Sequence, residues 1–166
     1  TSNFLTTTFA SALSKISINT WVNLGTFSGI QMLYSNEERA ASKYGVSLYT
    51  NGSVSGNKLV FSIGNGATRS DRVIPDTLLV NTWYMVTFTF DSNALRVYVN
   101  GILRNSETLS FSSIGSNTAN RFRLGAEASA TPVYYCSGKL DEFAIWDKAL
   151  NSTEITEIYN AGAGKS

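Results

Sequence analysis

The chain has 166 residues, with thirteen Lys and Arg against twelve Asp and Glu for a net charge of +1. That length suits one domain able to bury about 70% of the surface its unfolded chain exposes, and the charge balance, with no run of five like charges, speaks against nucleic acid or an anionic membrane as partner. There is no histidine and a single cysteine, Cys136, which removes the commonest zinc ligand, the commonest general base, every Ser-His or Cys-His nucleophile pair and any internal disulfide.

Charged residues are only 15% of the chain, and Ser, Thr, Asn, Gly, Tyr and Phe are plentiful. This is an all-β composition with an uncharged surface rich in hydroxyls and amides. No apolar run reaches the length of a membrane span or a signal core. Because the chain opens on Thr1 without Met, we expect residues 1–166 to be one domain of a larger polypeptide.

Apolar and polar residues alternate from the first strand onward, with turn residues about every ten positions. "KISINTWVNLG" sets Ile16, Ile18 and Thr20 on one strand face. "GIQMLYS" supplies a second strand, the polar stretch "SNEERAASKY" reads as a loop, and "YGVSLYTNG" ends on an Asn51-Gly52 turn. "NKLVFSIGNG" ends on Asn65-Gly66, and "NGATRSDR" reads as a further loop. From Trp83 to Phe90 the alternation is clean, Asp91-Ser92-Asn93 turns, Leu95 to Val99 alternates again and Asn100-Gly101 turns into a third strand. After a Ser/Asn-rich loop near 112–120 come strands in "RFRLGAE" and "GKLDEFAIW".

The period then changes. Leu150, Ile155, Ile158 and Tyr159 fall on one helical face. Asn151 or Ser152 is placed to cap that helix, Glu154 and Glu157 suit its first turns, and Gly162 is the expected stop. The elements predict a β-sandwich carrying one short C-terminal α-helix. Two glycosylation triplets, at Asn51 and Asn151, carry little weight in a chain this rich in Asn, Ser and Thr.

The runs "TWYMVTFTFDSNALRVYVNGIL", "RLGAE" and "GKLDEFAIWDKALNSTEITEIYNAG", spread over residues 80–162, resemble the laminin G-like domains of the concanavalin A-like lectin/glucanase superfamily. The last run is also similar to the ending of pentraxins. The resemblance implies a two-sheet antiparallel jelly-roll sandwich, a non-catalytic module for glycan or protein binding, and a bound calcium ion in many members.

Glucanases of the superfamily resemble one another by carboxylates aimed from one sheet face into a sugar cleft, and retaining hydrolysis needs two carboxyls about 5–5.5 Å apart. Strand alternation sends Asp141 and its neighbour Glu142 to opposite faces, and puts Phe143 and Ile145, both core residues, on the face of Asp141. On that basis we expect no enzyme. The pentraxin calcium loop is matched here by Gly125 to Ser129, where Glu127 alone keeps a carboxylate, and calcium wants six to eight oxygens. The resemblance makes Asp141 a candidate ligand for a structural calcium ion, while a turn cap or a pair with Arg or Lys is the simpler explanation of the same residue.

Trp21, Trp83 and Trp146 read as core packing. Of Tyr134 and Tyr135 only one can face a core, which leaves the other free to stack on a sugar. Loops carried on a rigid sandwich are the usual place for recognition, so the ligand-binding candidates are Asn36, Glu37, Arg39, Lys43, Tyr44, Arg69, Asp71, Arg72, Glu127, Tyr134 and Tyr135. The expected function is a recognition module for a glycan or a surface protein, extracellular or on a cell or virion surface. The alternative is a structural or oligomerisation domain with no small ligand.

Overall fold

The computed structural model describes residues 5–7, 12–36, 43–115 and 122–163. The strands are β1 (Leu5–Thr7), β2 (Lys15–Leu24), β3 (Ile30–Ser35), β4 (Tyr44–Asn51), β5 (Leu59–Asn65), β6 (Arg69–Val73), β7 (Trp83–Asp91), β8 (Ala94–Val99), β9 (Ile102–Thr108), β10 (Phe122–Leu124) and β11 (Gly138–Trp146). A four-residue helix, α1 (Gly52–Ser55), joins β4 to β5, and α2 (Ser152–Tyr159) follows β11.

The strands form a six-stranded sheet in the order β1-β10-β3-β4-β5-β6 and a five-stranded sheet in the order β11-β2-β7-β8-β9. Every pairing is antiparallel. Between the sheets lies the main core. Ile16, Ile18, Val22 and Leu24 of β2, Val86, Phe88 and Phe90 of β7 and Leu95, Val97 and Val99 of β8 meet Val46 and Leu48 of β4 and Leu59, Phe61 and Ile63 of β5. Phe61 and Phe88 stack across the gap with ring centroids 4.1 Å apart. The period-2 pattern dictates this for β2, β4, β5 and β7, which turn one mainly apolar set of alternate side chains inward and a set richer in Thr, Ser and Asn outward. The result is an all-β, two-sheet jelly-roll sandwich with one short C-terminal helix, as the sequence predicts.

Three local expectations change. Asn51-Gly52 does not make a two-residue turn, since the chain there winds into α1 before entering β5. Arg69, Asp71 and Arg72 lie on strand β6 rather than in a loop. "RSDRV" lacks alternation because β6 ends its sheet, where backbone pairing to β5 suffices and charged side chains discourage further pairing. Helix α2 stops at Asn160, whose backbone is left-handed at φ 46°, and Gly162 closes the short 3-10 turn that follows.

Helix α2 covers the outer face of the five-stranded sheet. Leu150 and Ile155, with Ile158 and Tyr159 beside them, pack on Trp21, Met85 and Tyr98, and the Tyr159 ring stacks on Trp21 at 5.8 Å. Its start is fixed from both sides. Ser17 Oγ donates to the Lys148 carbonyl and accepts from the Leu150 N–H, both at 2.8 Å. Asn151 Oδ1 accepts from the Glu154 N–H while Glu154 Oε2 accepts from the Asn151 N–H, a reciprocal capping box.

A hydrogen bond from the Lys148 ammonium, and then the Asn151 N–H, hold the Glu154 carboxyl below the ordinary glutamate range. A carboxyl lowered on folding contributes stability that is complete above its unfolded pKa, about 4.3, and is lost as pH falls through the folded value. Thermal melts between pH 7 and pH 2 are therefore expected to show a loss of stability below about pH 4 that Glu154→Gln reduces, with no difference in pH dependence between the two proteins from pH 6 to pH 8.

Candidate functional site

Strand β11 does not alternate through its length. Asp141 pairs with Trp21 of β2, and the next pair is Ala144 with Asn19, so three steps along β11 match two along β2. The extra residue is a β-bulge, and Glu142 within it has a left-handed backbone at φ 45°. Beyond the bulge the facing is inverted. Phe143 and Ile145 join the inner core, with Phe143 against the rings of Tyr34 and Phe122, while Trp146 packs under α2 on the outer face. Asp141 therefore lies on the outer face with Trp21, and the expectation that it shares a face with Phe143 and Ile145 is corrected.

The same bulge places Asp141 and Glu142 on one pocket rather than on opposite sides of the sheet. That pocket, of about 180 Å³, is lined by Trp21, Trp83, Asp141, Glu142, Gly162 and Ala163. Asp141 Oδ1 accepts the Glu142 N–H at 2.8 Å, so the carboxylate caps its own bulge. Thr20 Oγ1 reaches the Asp141 carbonyl and Asn19 Nδ2 the Glu142 carbonyl, each at 3.4 Å, which ties the bulge to β2. Trp21 is buried beneath Tyr159, and its Nε1 has no hydrogen-bond partner. Trp83, the first residue of β7, is 39% exposed. Core packing, expected for all three tryptophans, holds for two of them: buried Trp21 belongs to the core cluster under α2 and Trp146 packs against it, whereas Trp83 faces solvent.

Trp83 was open to discovery in the sequence. Tyr84, Val86, Phe88 and Phe90 form the apolar set of β7, so Trp83 belongs with Met85, Thr87 and Thr89 on the mixed face. The pairing of Asp141 with Glu142 had no such signal, because a bulge is set by one backbone angle.

The loop candidates lie elsewhere. Glu37 and Arg39 fall outside the described residues. Asn36 is buried, and its Oδ1 accepts the Val46 N–H at 2.6 Å, joining β3 to β4. Lys43 precedes β4 and Tyr44 opens it beside the β5–β6 hairpin, where the Lys43 carbonyl accepts from the Gly66 N–H and half-exposed Tyr44 sits against Gly66 and Gly115. Asp71 accepts from Ser62 and pairs with Arg69 at 2.9 Å. Arg72 pairs with Glu107 of β9, and Arg104 with Asp76 at 3.1 Å, so these ions tie the edge of one sheet to the edge of the other.

Glu127 is 3% exposed, with Ser129 Oγ 3.4 Å from its carboxylate, and the Arg123 guanidinium donates to the carbonyls of Glu127 and Ser129. Tyr134 packs on Met32, Tyr49 and Val60 outside the six-stranded sheet, and Tyr135 is the exposed member of the pair. Lys43, Tyr44, Arg69 and Asp71 thus gather at one end of the six-stranded sheet. Glu127, Tyr134 and Tyr135 belong to a separate segment across its outer face, and none of these residues lines the tryptophan pocket.

Calcium fits this donor set poorly. It takes six to eight oxygens, the walls beside Asp141 and Glu142 are indole rings, and among the described residues no group of three or more His, Cys, Asp or Glu is placed to hold a metal. Among the described residues, too, no helix is long and apolar enough to cross a membrane. Burial pushes the Cys136 thiol up to about 11, so at neutral pH it is a protonated packing group rather than a nucleophile.

A laminin G family model, described as the concanavalin A-like lectin/glucanases superfamily, matches residues 1–156. Human adhesion G-protein coupled receptor D1 is 36% identical over 85 residues, 50% of this chain and 10% of the receptor. A Bacteroides ovatus protein proposed to bind carbohydrate superposes with a TM-score of 0.75 at 17% identity, covering 94% of this chain and 44% of that one. A native heptameric SAP-like pentraxin from Limulus polyphemus does so with a TM-score of 0.68 at 16% identity, covering 93% of this chain and 72% of that one. The two structural likenesses speak to the fold alone.

The left-handed backbone at Glu142 disfavours any residue with a Cβ by about 1–2 kcal/mol. Glu142→Gly is therefore expected to be more stable than Glu142→Ala by about 1 kcal/mol in urea denaturation, the reverse of the usual order within a strand. Equal stability would mean that the bulge is not held in this conformation.

Proposed function

We propose, from the premise that this chain belongs to the concanavalin A-like lectin/glucanase superfamily, that it is a non-catalytic recognition module whose pocket of Trp21, Trp83, Asp141 and Glu142 binds a saccharide unit. The observation that carries this reading is the conjunction in one pocket of an exposed indole and two carboxylates. A sugar ring has an apolar face of C–H groups and a rim of hydroxyls. An indole offers that face a large, rigid apolar platform at little entropic cost, and a carboxylate accepts two hydroxyl donors in charge-assisted hydrogen bonds.

Hydrolysis asks for more. A glycosidase flanks the scissile bond with an acid and a nucleophile or base, whereas Asp141 and Glu142 are sequence neighbours on one strand, with one Asp141 oxygen already capping the bulge. They approach a ligand from the same side, an arrangement suited to holding hydroxyls. In this reading the contacts come from protein side chains, and calcium is not required. The likeness to an adhesion receptor supports a place outside the cell, and the module acts as one part of a larger adhesive protein.

Glycan-array screening followed by calorimetry tests the proposal. A saccharide ligand is expected to bind unchanged in EDTA and to be released intact. Trp83→Ala should weaken it at least ~5-fold, from the roughly 1 kcal/mol an aromatic contact adds, without loss of stability, since Trp83 is outside the core. Binding indifferent to Trp83→Ala would move the site elsewhere. No binding, together with defined assemblies in solution, would favour the structural alternative.

A further inference from the structure

We infer that the saccharide unit taken by the tryptophan pocket carries a free amino group, so that the ligand class is the hexosamines rather than neutral or acidic sugars; this rests on the glycan reading above and specifies it. The described residues that line the pocket include two carboxylates, two indoles and no Lys or Arg. Lys139, two residues before Asp141 on the same face of β11, is exposed and outside the lining, and Asp141 forms no ion pair with it or with any other described residue. Glu142 takes part in a further interaction of its own. The charge argument accordingly stands on Asp141 and the indoles, with Glu142 as a second wall of the same sign.

A ligand that fills the pocket strips water from Asp141. Hydroxyls return hydrogen bonds but no charge, so a neutral sugar leaves much of the carboxylate's desolvation uncompensated. An ammonium returns both. It donates three hydrogen bonds, supplies the counter-charge, and is attracted to an indole face within about 6 Å, tryptophan being the strongest of the aromatic partners. A uronic or sialic acid carboxylate would instead meet Asp141 and Glu142 as a like charge, which is unfavourable at contact distance even near a surface.

The bulge makes this selectivity structural. With regular alternation Asp141 and Glu142 would part to opposite faces. With the bulge both reach the pocket that Trp83 borders, and the Asp141 bond to the Glu142 N–H fixes the carboxylate's orientation without a cation. Aromatic surface and the Asp141 charge are thereby held together on an otherwise near-neutral chain.

The test is calorimetry on the full chain at pH 6 and 0.15 M salt. It uses glucosamine oligosaccharides, their N-acetylated counterparts of equal length and glucuronic acid oligosaccharides. The free-amine series is expected to bind at least ~10-fold tighter than the acetylated one, as a desolvated ammonium contact supplies, and the acidic series not at all. Asp141→Asn keeps the oxygen that accepts from Glu142 and should bring the ratio close to one. Glu142→Gln should lower it, and Trp83→Ala should weaken the free-amine series as well. Acetylated or acidic oligosaccharides bound as tightly as the free amines, with Trp83→Ala still weakening them, would overturn the amine assignment and leave the glycan reading standing. Binding of the amines that ignores Trp83→Ala would mark bulk attraction of a polycation and overturn the assignment too. No binding of any series, with no hit on a glycan array, would remove both.

Discussion

One extra residue in β11 shapes the outer face of the five-stranded sheet. Strand β11 is an edge strand of the five-stranded sheet, and it must satisfy two incompatible patterns. Leu140, Phe143 and Ile145 all pack against the core, yet Asp141 and Trp146 must face outward. A regular strand cannot do this, because positions 140 and 143 have opposite parity. The bulge at Glu142 reconciles them at the cost of a left-handed backbone, about 1–2 kcal/mol for a residue with a Cβ. Strain of this kind survives only where the surroundings over-determine it. Here bonds from Thr20 and Asn19 of β2 and the Asp141 cap hold it in place.

The rest of the site follows from what covers that face. A sheet whose second face carries Trp21, Met85 and Tyr98 needs a lid, and α2 provides it with Leu150, Ile155, Ile158 and Tyr159. The helix is two turns long and would not persist alone in water, so its capping box, the Lys148–Glu154 pair and the Ser17 bonds locate it. Because the helix ends at Asn160, the short turn after it brings Gly162 and Ala163 to the pocket's rim. Trp83 then lies just beyond the helix's cover. Burial of Trp21 and exposure of Trp83 on one face are two consequences of where α2 stops.

Much of this was legible in the sequence. The alternation in "WYMVTFTF" and "ALRVYV" marks strands whose inner faces are the observed core, and the Leu150, Ile155, Ile158 and Tyr159 stripe is the docked face of α2. What escaped detection lacked an apolar pattern. Strand β6 is charged because it is an edge, and β1 is three residues long. The site escaped for a different reason. Loops offered visible charge at Arg69, Asp71 and Arg72, and the structure uses Asp71 and Arg72 in contacts to Ser62 and Glu107, while the carboxylates that share a pocket were set apart by a rule of alternation that one backbone angle cancels.

The central claim is that recognition occurs on the outer face of the five-stranded sheet, at the pocket beneath the end of α2. Two-dimensional 15N NMR of the indole N–H groups during a saccharide titration addresses it directly, since the chain contains only three tryptophans. The account predicts that the Trp83 indole resonance shifts saturably, together with the backbone amides of Asp141, Glu142 and Gly162, while amides around Tyr44, Arg69 and Asp71 stay still. Shifts confined to the Tyr44 end of the six-stranded sheet, with Trp83 unmoved, would contradict it.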